Sequence, residues 1–361
     1  MESDQAVWNS MRLFRVLVSL LLFLLYSVDQ SATEIDGIPE GLTCTFELGP
    51  LTGCHCTESK TQTDRHLFCD GQNLRSIPSN ITELVDLKIT NDDIEILREV
   101  IGYNDLETLH LERNKIRYVS DSTFRNLAKL KTLSLADNEI SSLSSKTFDG
   151  LVSVELLVLS GNKIYEVRAT VFTGSVLPAL EILKLDHCAV QQIDLNSFPG
   201  LSNLESLNLA YNRLQSLPVL GDEKGLNRLT NVDVSYNLLD RVDGSSFVHL
   251  HSLTELVLSG NRLTQLTRES FLSLNDSLVT LILRGNRISS IGANSLYPLR
   301  KLKTLDLSYN LLTGINSSEP PWDVLDKLLV HDNPWDCSGC DNSWLVDEKA
   351  VMLWNAESNV G

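Results

Sequence analysis

Residues 253–263 read LTELVLSGNRL, with leucine at the first, fourth, sixth and eleventh places and asparagine at the ninth. Similar segments begin at Leu84, Leu106, Leu130, Val154, Leu180, Leu204, Leu229, Leu278, Leu302 and Leu325, making eleven copies. Their ninth places hold Asp92, Asn114, Asn138, Asn162, Cys188, Asn212, Asn237, Asn261, Asn286, Asn310 and Asn333, spaced by 22 to 26 residues. A period this regular marks a chain of stacked units. The apolar fourth and sixth places are separated by a single residue, which is the periodicity of a strand with one face buried. One coil cannot cover its own leucines, whereas a stack shares a continuous core. The copies are therefore predicted to line up as a parallel sheet. After each strand the chain turns inward and leaves backbone groups short of partners. A side-chain amide has donors and an acceptor to satisfy them.

The pattern L-x-x-L-x-L-x-x-N/C-x-L resembles the extracellular leucine-rich repeat family over residues 84–335. The resemblance implies an α/β solenoid: a right-handed horseshoe with a parallel β-sheet on its concave face and short irregular or 3-10 segments on its convex face. Ten residues beyond the ninth place stand Phe124, Phe148, Phe172, Phe198, Phe247, Phe271 and Leu296, read as an apolar spine under the convex side. The coil after Asn212 has Asp222 there, within LPVLGDEKGLNRL, and is expected to form a re-registered loop. Cys188 takes an asparagine place, where the family pattern admits cysteine. A thiol is a small, buriable, weak donor, so Cys188 is read as structural. No further ligands are spaced around His187 for a metal.

The ends read differently. Residues 13–28, LFRVLVSLLLFLLYSV, follow Arg12 in the manner of a secretory signal. The uninterrupted apolar part is shorter than the roughly 20 residues a spanning helix needs. Residues 1–32 are expected to be a signal peptide, with an uncleaved anchor as the alternative. Cys44, Cys54, Cys56 and Cys69 precede the repeats, and their arrangement resembles the family's cysteine-rich N-terminal cap, here 33–79. That resemblance implies the pairs Cys44–Cys56 and Cys54–Cys69. The repeats span 80–332. NPWDCSGCDNSWLV, from Asn333, resembles the start of a C-terminal cap over 333–361, expected to be incomplete because Cys337 and Cys340 lack the partners the family provides. Sequons at Asn80, Asn275 and Asn316 are candidate glycosylation sites.

The formal charge of −17 argues against nucleic acid, whose phosphates need lysine and arginine to neutralise them. The seven histidines are scattered, and no motif of catalysis, cofactor binding or metal ligation emerges. The expected activity is non-covalent binding of a protein ligand or receptor, outside the cell, by a secreted or cell-surface protein. A membrane is involved only if the chain continues past residue 361 or the N-terminal segment is retained. The third, fifth and seventh places of each copy face away from the core, as concave solenoid surfaces do. They nominate Leu156, Val158 and Ile182 with Lys184 and Asp186 beside them, and Val257 with Ile282. Tyr211 and Tyr236 (with Tyr309) precede ladder asparagines at the rim. A regulator of a secreted enzyme, either an inhibitor or a non-catalytic subunit, is the alternative, because fold does not fix function.

Overall fold

The computed structural model describes residues 54–58, 65–78, 81, 83–223, 225–315 and 324–336. The expected signal segment 1–32, Cys44, Cys337, Cys340 and the sequons at Asn80 and Asn316 lie outside them.

Each of the eleven copies forms one strand of a right-handed solenoid. The first, Leu84–Thr90, is the longest, and the others keep three residues each, from Thr108–His110 to Lys327–Leu329. They pair in parallel and in chain order. The register keeps equivalent places level: Leu157 lies opposite both Leu133 and Leu183, and Leu256 opposite Val232 and Leu281. The core-facing residues therefore stack into rows, with Leu133, Leu157, Leu183 and Leu281 fully buried. At the first repeat the sheet gains the strands Cys54–Glu58 and Arg65–Asp70, antiparallel to each other, with the second parallel to Leu84–Thr90, which makes thirteen strands among the described residues. Leu67 and Cys69 close that end of the core. Cys54 and Cys69 face each other across the hairpin and are joined by a disulfide; Cys56 is disulfide-bonded as well.

The turn after each strand explains the ninth-place asparagine. The residue before it takes a left-handed backbone in coil after coil: Arg113, Asp137, Gly161, His187, Tyr211, Tyr236, Gly260, Gly285, Tyr309 and Asp332 all have φ between 52° and 72°. That twist points the next side chain into the stack. Asn162 Nδ2 donates to the carbonyls of Leu135 (2.9 Å) in the preceding coil and Leu159 (2.7 Å) in its own. Its Oδ1 accepts the Ile140 N–H at 3.0 Å. The same scheme runs to Asn333, whose Oδ1 accepts from Leu312. At Cys188 only half of it survives. The thiol donates to Leu159 O at 3.1 Å, but nothing replaces the amide oxygen, and among the described residues no acceptor meets the Ile164 N–H. Burial pushes the Cys188 thiol pKa up to about 12.

On the convex side, Phe124, Phe148, Phe172 and Phe198 form a buried column with ring centroids 5.7–6.5 Å apart. In the coil that has Asp222 instead of phenylalanine, Leu220 and Leu226 are buried. There the Asp222 carboxylate accepts the Gly225 N–H at 2.7 Å, closing a turn. Among the described residues the rest of this side is turns and two 3-10 segments, Gly244–Phe247 and Leu272–Leu274. The described residues also form three two-stranded parallel ribbons there, such as Glu166–Val167 with Gln192–Ile193. Sequence reading did not anticipate these ribbons, because two residues are too few to show a strand period. No helix among the described residues is long and apolar enough to cross a membrane.

Candidate binding surface

The strand period that buries the fourth and sixth places turns the third, fifth and seventh toward the open face. The parallel register then builds rows across the sheet. Leu156 lies level with Ile182, and Val158 with Lys184. Leu156, Val158 and Ile182 are thus contiguous and half-exposed. Val257 and Ile282 form a second level pair. Between the two apolar areas the rows are polar: Ser206 and Asn208, then Asn231 and Asp233. Asn275, on the convex side, follows the 3-10 segment Leu272–Leu274 and is half-exposed.

The charges on this face are partly desolvated. Burial lowers the pKa of the Lys184 ammonium, and Asp186 opposes that shift. Asp186 also accepts a hydrogen bond from Ser160 at 2.6 Å and lies 3.1 Å from His187 Nδ1. Burial raises the carboxyl pKa of Asp233, where the Ser235 hydrogen bond works the other way. Burial likewise raises that of Glu255, with the charge of Asp233 adding to the effect. Neither carboxylate has a cationic partner among the described residues.

Tyr211 and Tyr236 stand at the rim, each about half exposed. They belong to a stack of three rings that sequence reading did not assemble. His187 and Tyr211 lie 4.3 Å apart between centroids, and so do Tyr211 and Tyr236, with planes within 13° of parallel. The signal was present in the sequence: all three hold the eighth place of consecutive copies, and level register brings equal places together. Tyr309 stands apart, with the Arg284 guanidinium 4.2 Å over its ring and His331 at its edge. Among the described residues, no group of three or more His, Cys, Asp or Glu side chains is placed to hold a metal ion.

The comparisons agree with this architecture. The leucine rich repeat model matches residues 104–164, 178–223, 227–276 and 276–319, together more than half of the chain. Human lumican is 30% identical over 271 residues, covering 73% of this chain and 68% of lumican. Chicken (Gallus gallus) lumican is 26% identical over 299 residues, covering 76% of each. Among solved structures, the mouse RP105/MD-1 complex matches with a TM-score of 0.68 at 23% identity, covering 82% of this chain and 53% of that one. The Drosophila Toll–Spatzle complex matches with a TM-score of 0.57 at 22% identity, covering 72% and 40%. These structures share the fold. The repeated motif, the level sheet and the matched model establish that this chain belongs to the leucine-rich repeat family.

Proposed function

We propose that this protein is an extracellular recognition protein that binds another protein non-covalently, chiefly across its concave face, and performs no chemistry of its own. The observation that carries the reading is the contiguous patch of Leu156, Val158 and Ile182 on two level strands, bordered by Lys184 and Asp186. Apolar side chains gathered on an exposed surface and rimmed by charge mark interaction sites. The Cys54–Cys69 disulfide supports an extracellular setting, since such bonds persist in oxidising compartments. The related structures of complexes, RP105 with MD-1 and Toll with Spatzle, support a protein as partner.

The test is a binding screen of the full chain, secreted and dimerised on an antibody fragment, against displayed extracellular proteins. Val158→Asp and Ile182→Asp are expected to abolish a hit that the wild type gives. Val248→Asp, an equal change at an exposed convex position, is expected to keep it. A hit lost with the convex change and kept with both concave ones refutes the assignment of the face.

A further inference from the structure

Resting on the concave-face reading, we infer that the part of the sheet around Asp233 and Glu255, with the stacked rings of Tyr211 and Tyr236, receives an arginine- or lysine-rich extended segment of the protein partner. Asp233 lies on the strand next to Glu255, and Glu255 is held by the Asn231 amide at 2.7 Å. Asp233 accepts the Ser235 N–H at 2.8 Å. Both carboxylates are thus oriented by the fold and half-buried, yet no lysine, arginine or histidine among the described residues pairs with either. Charged groups withdrawn from water are costly unless a counter-charge meets them, and a cationic ligand would supply it.

The rim beside them has the matching chemistry. Stacked aromatic faces attract guanidinium and ammonium groups. The Tyr236 ring ends the stack, and the next coil places Gly260 beside it. A Cβ at Gly260 would lie 2.6 Å from the ring, so the ring rests against the glycine backbone, where no side chain fits. The following coil repeats the omission with Gly285. Beyond that gap the protein uses the same chemistry on itself, with Arg284 seated on Tyr309. The stack of His187, Tyr211 and Tyr236 borders an acidic floor, and the charge of Asp233 acts on Tyr211. The eighth place does not require an aromatic residue, since Gly161, Gly260 and Gly285 serve the same turn. A parallel sheet that offers equivalent places every ~4.8 Å suits an extended segment laid across it.

The experiment measures fluorescence anisotropy of a labelled peptide of alternating arginine and glycine against the full secreted chain at physiological salt. A glutamate–glycine peptide serves as the control ligand. Asp233→Asn with Glu255→Gln removes the charges while an amide oxygen keeps each hydrogen bond. Tyr211→Asn with Tyr236→Asn removes the rings, and asparagine tolerates the left-handed backbone. Asp240→Asn with Glu269→Gln makes the same charge change at exposed positions elsewhere. The first pair is expected to weaken arginine-peptide binding about tenfold or more, the scale of a lost charge-assisted hydrogen bond. The tyrosine pair is expected to weaken it severalfold, and the distant pair by less than about twofold, as a change in surface charge screened by salt. Equal losses for the concave and distant acidic pairs, or no preference for the arginine peptide, overturn the inference. If partner binding is still lost with Val158→Asp in that case, the concave-face reading stands and only the cationic segment is withdrawn.

Discussion

Replacing Asn237 with alanine isolates what one ladder amide contributes. Its Nδ2 donates to Leu209 O at 2.9 Å and Val234 O at 3.1 Å, and its Oδ1 accepts the Leu214 N–H at 2.9 Å. The two carbonyls have second donors: Asn212 reaches Leu209 O at 2.9 Å, and Asn261 reaches Val234 O at 3.0 Å. The loss therefore falls on the Leu214 N–H, which becomes a buried donor without an acceptor. That costs about 1–3 kcal/mol, most of it the desolvation of the stranded group. Cys188→Ala provides the internal comparison. Its coil already lacks the acceptor, so only the thiol's donation, shared between Leu159 O and Asp186 O, is lost, at about 1 kcal/mol or less. Urea denaturation followed by far-UV circular dichroism gives both differences. Hydrogen exchange at the Leu214 amide reports the local effect and should quicken only in the Asn237 variant. If Asn237→Ala costs no more than Cys188→Ala, or Leu214 exchange is unchanged, the reasoning fails.

Asp92 begins the ladder with a carboxylate whose buried Oδ2 has no partner among the described residues, while Oδ1 accepts from Leu74 at 2.9 Å. Asp92→Asn places donors there for the Ile89 carbonyl and should raise stability by about 1–3 kcal/mol in the same denaturation assay. The buried, high-pKa Cys188 thiol should resist iodoacetamide at pH 8 in the folded protein and react once unfolded, as read by mass spectrometry. Burial raises the pKa of Asp233 and Glu255, so the folded state binds their protons more tightly than the unfolded chain does. Stability then falls as pH rises from the unfolded pKa values through the higher folded ones. Asp233→Asn and Glu255→Gln should therefore stabilise the fold at pH 7, with the gain vanishing below about pH 4, where the unfolded carboxyls are protonated as well.

The stack was legible because its causes are local and repeated. A leucine at the fourth place means the same thing in every coil, and so does an asparagine at the ninth. The structure gives each copy a strand and each described ladder asparagine the same bonds. The surface was legible only in part. Leu156, Val158 and Ile182 stand out because apolar residues are conspicuous at outward places. Asp233 and Glu255 do not, since a carboxylate in a strand looks like solvated surface until the fold shows it half-buried without a cation. The ring stack needed columns to be compared across copies, and its last ring rests on Gly260, which carries no side chain. The outer ribbons had no sequence signal of their own, because neighbouring coils determine them.

The central claim is that successive copies lie side by side, each one strand further along a single sheet. Pulsed electron spin resonance between a nitroxide at Thr108 and a second at Ser206, Asn231 or Thr280 tests it directly, because these third-place residues lie four, five and seven strands away in the level register. Separations of about 19, 24 and 34 Å are predicted, about 4.8 Å for each added strand, with curvature shortening the longest slightly. Distances that fail to increase with strand number contradict it.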